Sequence, residues 1–87
     1  MYYYTYLLES LKDSDWYIGY TGNLEKRIAL HNAGKVSATK NRLPLKLIYY
    51  EAYLNKADAK GREKFLKSGS GHRFLKKQLT NYLKKSE

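Results

Sequence analysis

The chain has 87 residues, of which 17 are Lys or Arg and 8 are Asp or Glu, so its formal net charge is +9. A chain of this length has room for one core, and we expect a single domain over residues 1–87. The absence of cysteine excludes disulfide scaffolds, zinc fingers, iron–sulfur sites and thiol nucleophiles. The first apolar run ends at Glu9 and no basic segment precedes it, so the sequence predicts neither a signal peptide nor a membrane span. A cytoplasmic location is therefore predicted.

The positive charge is concentrated in the last two thirds of the chain. Residues 1–34 carry three basic and four acidic side chains, residues 35–55 four and one, and residues 56–87 ten and three. Basic clusters bind polyanions by displacing counterions from phosphates, which predicts a nucleic-acid partner. The alternative is that the charge serves solubility alone. An anionic membrane is disfavoured because the basic segments have no apolar face to spare.

In chain order, the first predicted elements are a β-hairpin and a helix. Tyr2–Leu8 and Asp15–Tyr20 are aromatic and apolar runs typical of strands, with a polar turn between them. Residues 21–23 offer helix N-caps, Leu24–Ala33 has helical character, and Gly34 stands where a left-handed C-cap belongs.

The second half is predicted to contain one strand and two helices. A basic loop over residues 35–44 precedes a strand at Lys46–Tyr53, and Asn55 can cap a helix over residues 56–67. The Ser-Gly-Ser-Gly stretch at residues 68–71 is predicted to end that helix and act as a connector. A last amphipathic helix is indicated by apolar residues at helical spacing, namely Leu75, Leu79, Tyr82 and Leu83. The predicted fold is therefore α+β with the order ββαβαα.

The hairpin brings tyrosines and a glycine to one face. Pairing about Leu11 and Lys12 predicts that Tyr6 opposes Tyr17 and Tyr4 opposes Gly19. The opposite face, expected to be the core side, carries Trp16, Ile18 and Tyr20. A glycine gap beside paired tyrosines leaves room for a polar group, and an ordinary aromatic pair is the alternative.

The first helix places two ionisable side chains inside its apolar arc. At about 100° per residue, Arg27 and His31 lie on the side set by Leu24 and Ile28. Such groups are costly to bury unless they meet an anion or a partner. An anion-binding role is predicted, and a buried ion pair remains the alternative.

Glu63, in the middle of the second predicted helix, is the third candidate. Periodicity does not distinguish it from an exposed glutamate that pairs with Lys60 or Lys67. His72 is expected at the surface. Two tyrosines, an arginine, a histidine and one carboxylate suit hydrolysis of a phosphodiester, with a cation for the phosphate, a carboxylate for one divalent metal and a phenol or imidazole as proton acceptor.

The sequence resembles the GIY-YIG nuclease family, which is named for two short strand motifs. The second motif is intact as Tyr17-Ile18-Gly19, and Tyr6 stands at the spacing expected for the first. The segment TGNLEKRIALHNAG carries Arg27 as the family's helix does, and AKGREKFLKSG carries Glu63 at the place of its metal-binding glutamate. The resemblance is to compact single-domain members, which are related to the N-terminal nuclease module of the excision-repair endonuclease that cuts damaged DNA.

This resemblance implies a three-stranded antiparallel sheet flanked by helices and a metal-dependent cut of DNA, structure-selective in repair or recombination. Glu63 would ligate one Mg²⁺, with Mn²⁺ as a substitute, and Arg27 would stabilise the phosphate. Tyr17 would help to activate water, Tyr6 would position water or phosphate, and His31 would assist as proton acceptor. A protein partner for targeting is left open.

Two departures from the family pattern bear on catalysis. The first motif is Tyr4-Thr5-Tyr6 and lacks its glycine, and no asparagine is assigned to the site. A non-catalytic nucleic-acid-binding module on the same fold is therefore the alternative, and a basic structural component of a larger assembly is a third interpretation. The side chains predicted to contact nucleic acid are Lys35, Lys40, Arg42, Lys67, Arg73, Lys76 and Lys77.

Overall fold

A computed structural model describes residues 1–84 and confirms an α+β fold with the order ββαβαα. Its elements are β1 (Tyr3–Ser10), β2 (Trp16–Thr21), α1 (Leu24–Asn32), β3 (Leu45–Tyr53), α2 (Lys56–Leu66), α3 (Gly69–Gln78) and α4 (Thr80–Leu83). The single last helix predicted from the sequence is divided at Leu79 into α3 and the short α4. The predicted domain end at residue 87 and the charge of Lys85 lie outside the described residues. Among the helices of residues 1–84, none has the length and apolar character that a membrane span requires.

The three strands form one antiparallel sheet, as predicted, and their order within the sheet is β2-β1-β3. The predicted register of the hairpin is wrong by two residues, because Tyr6 opposes Gly19 and Tyr17 opposes Leu8. The turn closes between Ser10 and Asp15, whose backbone N and O are 2.8 Å apart, so its centre lies one residue later than predicted. A shift of two preserves the side-chain alternation, and the tyrosine face remains a single face.

Hydrophobic clusters cover both faces of the sheet. Leu7 and Ile18 pack against Leu66 and Leu75 of α2 and α3, as expected for the predicted core side. The tyrosine face is also covered, because a second cluster of Tyr6, Leu8 and Leu45 includes apolar side chains of α1. The prediction of one core side is therefore incomplete, and the tyrosines lie under a helix rather than on an open surface.

The helix ends follow the predicted caps at α1 and α2. The Asn23 side chain accepts from Lys26 N at 3.1 Å, and that of Asn55 accepts from Ala57 N at 2.8 Å. Gly34 has φ of +73°, the left-handed conformation expected after a helix C-terminus.

The Ser-Gly-Ser-Gly stretch begins α3 and is not only a connector, which corrects the prediction. The Ser68 hydroxyl caps the helix by accepting from Gly71 N at 3.1 Å. A Cβ at Gly71 would overlap the backbone of Leu66, so the absence of a side chain there lets α3 approach α2 closely. This contact packs α3 against α2 on the face of the sheet opposite to α1.

Candidate active site

Tyr6 lies at the centre of the site, on the middle strand and beneath α1. Its side chain is 1% exposed, and its hydroxyl is 2.8 Å from Nε2 of His31. The ring extends over Gly19 on β2, where a Cβ would overlap both the hydroxyl and the ring. The predicted glycine gap is thus filled by Tyr6 itself, not left open for a ligand.

His31 stands in the last turn of α1 and is fully buried. Its Nδ1 is 2.7 Å from Oγ1 of Thr39, a buried residue of the loop between α1 and β3, so both ring nitrogens have partners. Burial, and then the positive charge of Arg27, lower the pKa of His31. The imidazole is therefore neutral near pH 7. Its ring nitrogens are satisfied by hydrogen bonds to uncharged hydroxyls, and not by the buried ion pair that the sequence left as an alternative.

Tyr17 completes a cluster of three rings. Its ring centroid lies 6.4 Å from that of Tyr6 and 5.1 Å from that of His31. Both phenols and the imidazole thus belong to one contiguous aromatic group beneath α1. The two tyrosines share a sheet face as the sequence predicts, and His31 joins them from the helix above.

Arg27 precedes His31 by one turn on the same side of α1 and is half-buried. Hydrogen bonding with the Tyr6 phenol raises the pKa of Arg27, whereas burial outweighs that contact and raises the pKa of Tyr6. The Nε of Arg27 is buried and has no hydrogen-bond partner among residues 1–84. The guanidinium therefore faces the phenols with an unused donor, which suits it to binding an anion.

Glu63 lies on α2, and its side chain is 23% exposed. Its charge contributes to the raised pKa of Tyr6, after burial and the Tyr17 charge, so Glu63 lies within electrostatic reach of the phenol. One turn earlier, the carbonyl oxygen of Ala59 accepts from the Thr5 hydroxyl at 2.7 Å, which ties α2 to β1.

The donor set fits one magnesium ion. No group of three or more His, Asp or Glu side chains that could hold a metal occurs within residues 1–84. Mg²⁺ commonly takes one or two carboxylates and fills its remaining positions with water and substrate phosphate. A single partly exposed carboxylate, Glu63, matches that pattern. The Glu63 carboxylate is engaged instead by Lys67, whose Nζ is 3.1 Å away, the pairing considered as an alternative from the sequence.

Six of the seven cations predicted to contact nucleic acid are exposed, namely Lys35, Lys40, Lys67, Arg73, Lys76 and Lys77. Arg42 differs, because its guanidinium donates to the backbone oxygen of Trp16 at 3.3 Å and lies 3.8 Å from the Asp15 carboxylate. It ties the basic loop to the hairpin. His72 is half-buried rather than at the surface, because its ring stacks on that of Trp16 with the two ring centroids 6.2 Å apart.

Two residues of the site give no signal in the sequence. Thr39 is one polar residue in a basic loop, and Thr5 is a β-former in a strand, so neither pattern indicates a buried hydroxyl with a defined partner. Both hydroxyls are fully buried, and their partners lie 54 residues away for Thr5 and 8 residues away for Thr39. Burial of a loop residue is the signal that would have identified Thr39, and it is visible only in the folded chain.

Comparison with known proteins gives a consistent result. The family described as "GIY-YIG catalytic domain" matches residues 2–78. A UPF0213 protein of Staphylococcus haemolyticus is 44% identical over 75 residues, which are 85% of this chain and 90% of that protein. One from Streptococcus pneumoniae is 45% identical over 65 residues, 74% of this chain and 65% of that protein, so the match spans less than two thirds of this relative.

A solved structure agrees. The solution NMR structure of a UPF0213 protein from Bacillus halodurans aligns with a TM-score of 0.54 and 37% identity, covering 94% of this chain and 85% of that one. Membership of one family therefore accounts for the sheet, the helix order and the motif positions. The chain belongs to the GIY-YIG family, as a nuclease-type domain similar to the UPF0213 proteins.

Proposed function

We propose that this protein is a divalent-metal-dependent endonuclease that hydrolyses phosphodiester bonds of DNA. The observation that carries the proposal is the buried Tyr6–His31 hydrogen bond beside Arg27, whose Nε lacks a partner within residues 1–84. A proton-accepting pair next to an unused cationic donor is what attack on a phosphate requires. Arg42 Nε is likewise buried without a partner within residues 1–84, but Arg42 bonds to Trp16 and Asp15, whereas Arg27 lies beside the Tyr6 phenol.

Arg27 binds the scissile phosphate and stabilises the charge that develops in the transition state. A guanidinium presents a rigid fork of donors that matches phosphate oxygens. Because the position is half-buried, its charge is less screened by solvent than that of a surface lysine. Arg27 is thereby separated in role from the exposed cations of the loop and of α3.

Tyr6 and His31 take the proton of the attacking water. A phenol with a raised pKa is poorly ionised near pH 7, so Tyr6 is not a resident phenolate. As the water O–H bond breaks and its oxygen bonds to phosphorus, Tyr6 Oη accepts that proton and passes its own to His31 Nε2. The bond from phosphorus to the leaving oxygen breaks and that oxygen takes a proton from solvent. His31, whose ring nitrogens face Tyr6 and Thr39, later returns its proton through the Tyr6 hydroxyl. This transfers to Tyr6 the water-activating role assigned to Tyr17 from the family resemblance, and Tyr17 packs against both groups.

Glu63 holds the metal, Mg²⁺ or Mn²⁺, after exchanging its contact with Lys67. A bound Mg²⁺ supplies Lewis acidity and neutralises charge at the phosphate. The Thr5 contact to Ala59, one turn before Glu63, holds α2 against β1.

The substrate is DNA held by its backbone. The exposed lysines of the basic loop and of α3 supply contacts to phosphates that carry no base information. We propose branched or damaged DNA as the preferred substrate, in repair or recombination in the cytoplasm, with a protein partner for targeting.

The test is incubation of supercoiled and branched DNA with Mg²⁺, with and without a chelator. Wild type cleaves, and chelation abolishes cleavage. Arg27→Ala lowers the cleavage rate about 10²–10³-fold, as loss of one transition-state donor does, and Glu63→Gln lowers it at least as much. Glu25→Gln is the matched control, because it neutralises an exposed acid on α1.

The outcomes separate the two classes of function. Absence of cleavage by wild type with Mg²⁺ and with Mn²⁺, together with salt-sensitive binding, supports the non-catalytic module instead. Cleavage that is equal in wild type and both variants contradicts the assignment of Arg27 and Glu63.

A further inference from the structure

Thr39 is a fully buried threonine in the loop that connects α1 to β3. Its backbone is held by a turn, with Thr39 N 3.1 Å from the oxygen of Val36 and Arg42 N 2.9 Å from the oxygen of Thr39. Its Oγ1 lies 2.7 Å from Nδ1 of His31. The loop therefore presents one hydroxyl to the imidazole from a position that the surrounding chain determines.

The partners of Tyr6 determine which atom donates and which accepts in the Tyr6–His31 and His31–Thr39 hydrogen bonds. A guanidinium has donors and no acceptor, so Arg27 cannot take the phenolic proton. Within residues 1–84, the acceptor at hydrogen-bond distance from that hydroxyl is His31 Nε2. A phenol is also a far stronger acid than an aliphatic alcohol, which makes Tyr6 the better donor to an imidazole nitrogen. The phenol therefore donates to Nε2, and Nδ1 carries the ring proton and donates to Thr39.

We propose that Thr39 is a positioning residue that holds His31 as the Nδ1–H tautomer, with the lone pair of Nε2 directed at Tyr6. The hydrogen-bond assignment stands on the geometry alone, whereas its consequence for catalysis rests on the proposed nuclease function. Free imidazole side chains exchange between two tautomers, and one of them would place a second donor on Tyr6 and stop proton transfer to Nε2.

A threonine suits this position better than an acid would. A carboxylate on Nδ1 favours the imidazolium, which would place a permanent second cation beside Arg27 and occupy Nε2 with a proton. A hydroxyl orients the ring and leaves it neutral. The Thr39 side chain thus selects the proton-accepting form of His31 without adding charge to a site that binds phosphate.

The direct test is NMR of the ring nitrogens in ¹⁵N-labelled protein. The chain has two histidines, so His72→Gln leaves His31 as the one imidazole in the spectrum. The wild-type ring is expected with its proton on Nδ1. Thr39→Val, which keeps the shape and removes the oxygen, shifts the proton to Nε2 or produces a mixture, and Thr39→Ser restores Nδ1–H. Thr80→Val, an exposed threonine on α4, is the matched control and leaves the spectrum unchanged.

A proton on Nε2 in the wild-type protein overturns the proposal, and so does an identical tautomer in Thr39→Val. The wild-type measurement needs no variant, so it tests the tautomer assignment even where Thr39→Val fails to fold. In the cleavage assay, Thr39→Val lowers kcat about 10–100-fold at unchanged KM, as loss of a histidine-orienting partner does at metal sites, and Thr39→Ser recovers most of the rate. If wild type does not cleave DNA, the proposed function fails while the tautomer assignment is still tested.

Discussion

At the scale of single residues, the site depends on one close approach between two neighbouring strands. The Tyr6 ring crosses β2 at Gly19, the last residue of the intact Tyr-Ile-Gly motif, and reaches His31 beyond it. Any Cβ at position 19 would occupy the volume of the phenol. The glycine is required because of what lies over it, since its backbone φ is not in the left-handed region.

We expect Gly19→Ala to destabilise the fold by about 1–3 kcal/mol, the range for an overpacked core, because Tyr6 must move away. The same displacement breaks the hydrogen bond to His31 and lowers the cleavage rate. Urea denaturation measures the first effect. Gly61→Ala is the matched control, because nothing lies within 4 Å of a Cβ there, in the middle of α2. It is expected to stabilise the protein by about 0.5–1 kcal/mol. Equal stability of wild type and Gly19→Ala would contradict the packing argument.

At the scale of elements, α2 is held to the sheet by an ion pair on the face opposite to Tyr6. Arg62 contacts both oxygens of Glu51 on β3, at 2.8 and 3.1 Å, and its guanidinium lies 5.0 and 4.6 Å from the ring centroids of Phe65 and Phe74. Burial and the same carboxylate raise the pKa of Tyr49, which also donates to Glu51, to about 12. This cluster orients α2, in which Glu63, the proposed metal ligand, directly follows Arg62.

Arg62→Ala is predicted to lower the free energy of unfolding by about 2 kcal/mol. It leaves a Glu51 side chain that is 17% exposed without its cation and removes the stacking on two rings. The value is below the range for fully buried pairs, because the Arg62 side chain is 28% exposed. Chemical denaturation measures it. Arg73→Ala, an exposed arginine on α3, should change stability by less than about 0.5 kcal/mol. A similar loss in both variants would argue against the ion pair as the anchor.

At the scale of the whole molecule, the charge is divided between a site and a surface. Exposed lysines occupy the basic loop and α3, and Arg27 lies half-buried in the only third of the chain with no positive excess. Phosphate contacts by exposed cations release counterions and depend steeply on salt. Under the proposed function, binding along the DNA backbone is thus separated from stabilisation of one phosphate.

Binding to DNA, measured in a chelator to prevent cleavage, is expected to weaken linearly in a plot of log affinity against log salt. Lys40→Ala and Lys77→Ala each reduce the magnitude of the slope by about 1, the value for one lost phosphate contact. Lys12→Ala, an exposed lysine in the hairpin turn outside the predicted surface, leaves the slope unchanged. Slopes that do not differ among the three variants would exclude the loop and α3 as the binding surface.

Most of the element order could be predicted from local patterns. Aromatic strand runs, the Asn23 and Asn55 caps and the left-handed Gly34 each act within a few residues, and the structure has them where the sequence indicates. The start of α3 at Ser-Gly-Ser-Gly could not be predicted, because glycine is a poor helix former. Its place there depends on a close approach to the backbone of Phe65 and Leu66 at the end of α2, a packing contact that helix propensity does not record.

The sequence by itself determined the family, the strand and helix order, and the set of side chains that meet beneath α1, because periodicity and motif spacing are local properties. Only the tertiary structure decided the hairpin register, the partner of Tyr6 and the buried contact of Thr39 with His31. Those depend on where the turn closes and on contacts between residues that are 8 to 25 positions apart. Hydrogen bonds at such separations follow from packing of the whole chain, and no local sequence pattern predicts them.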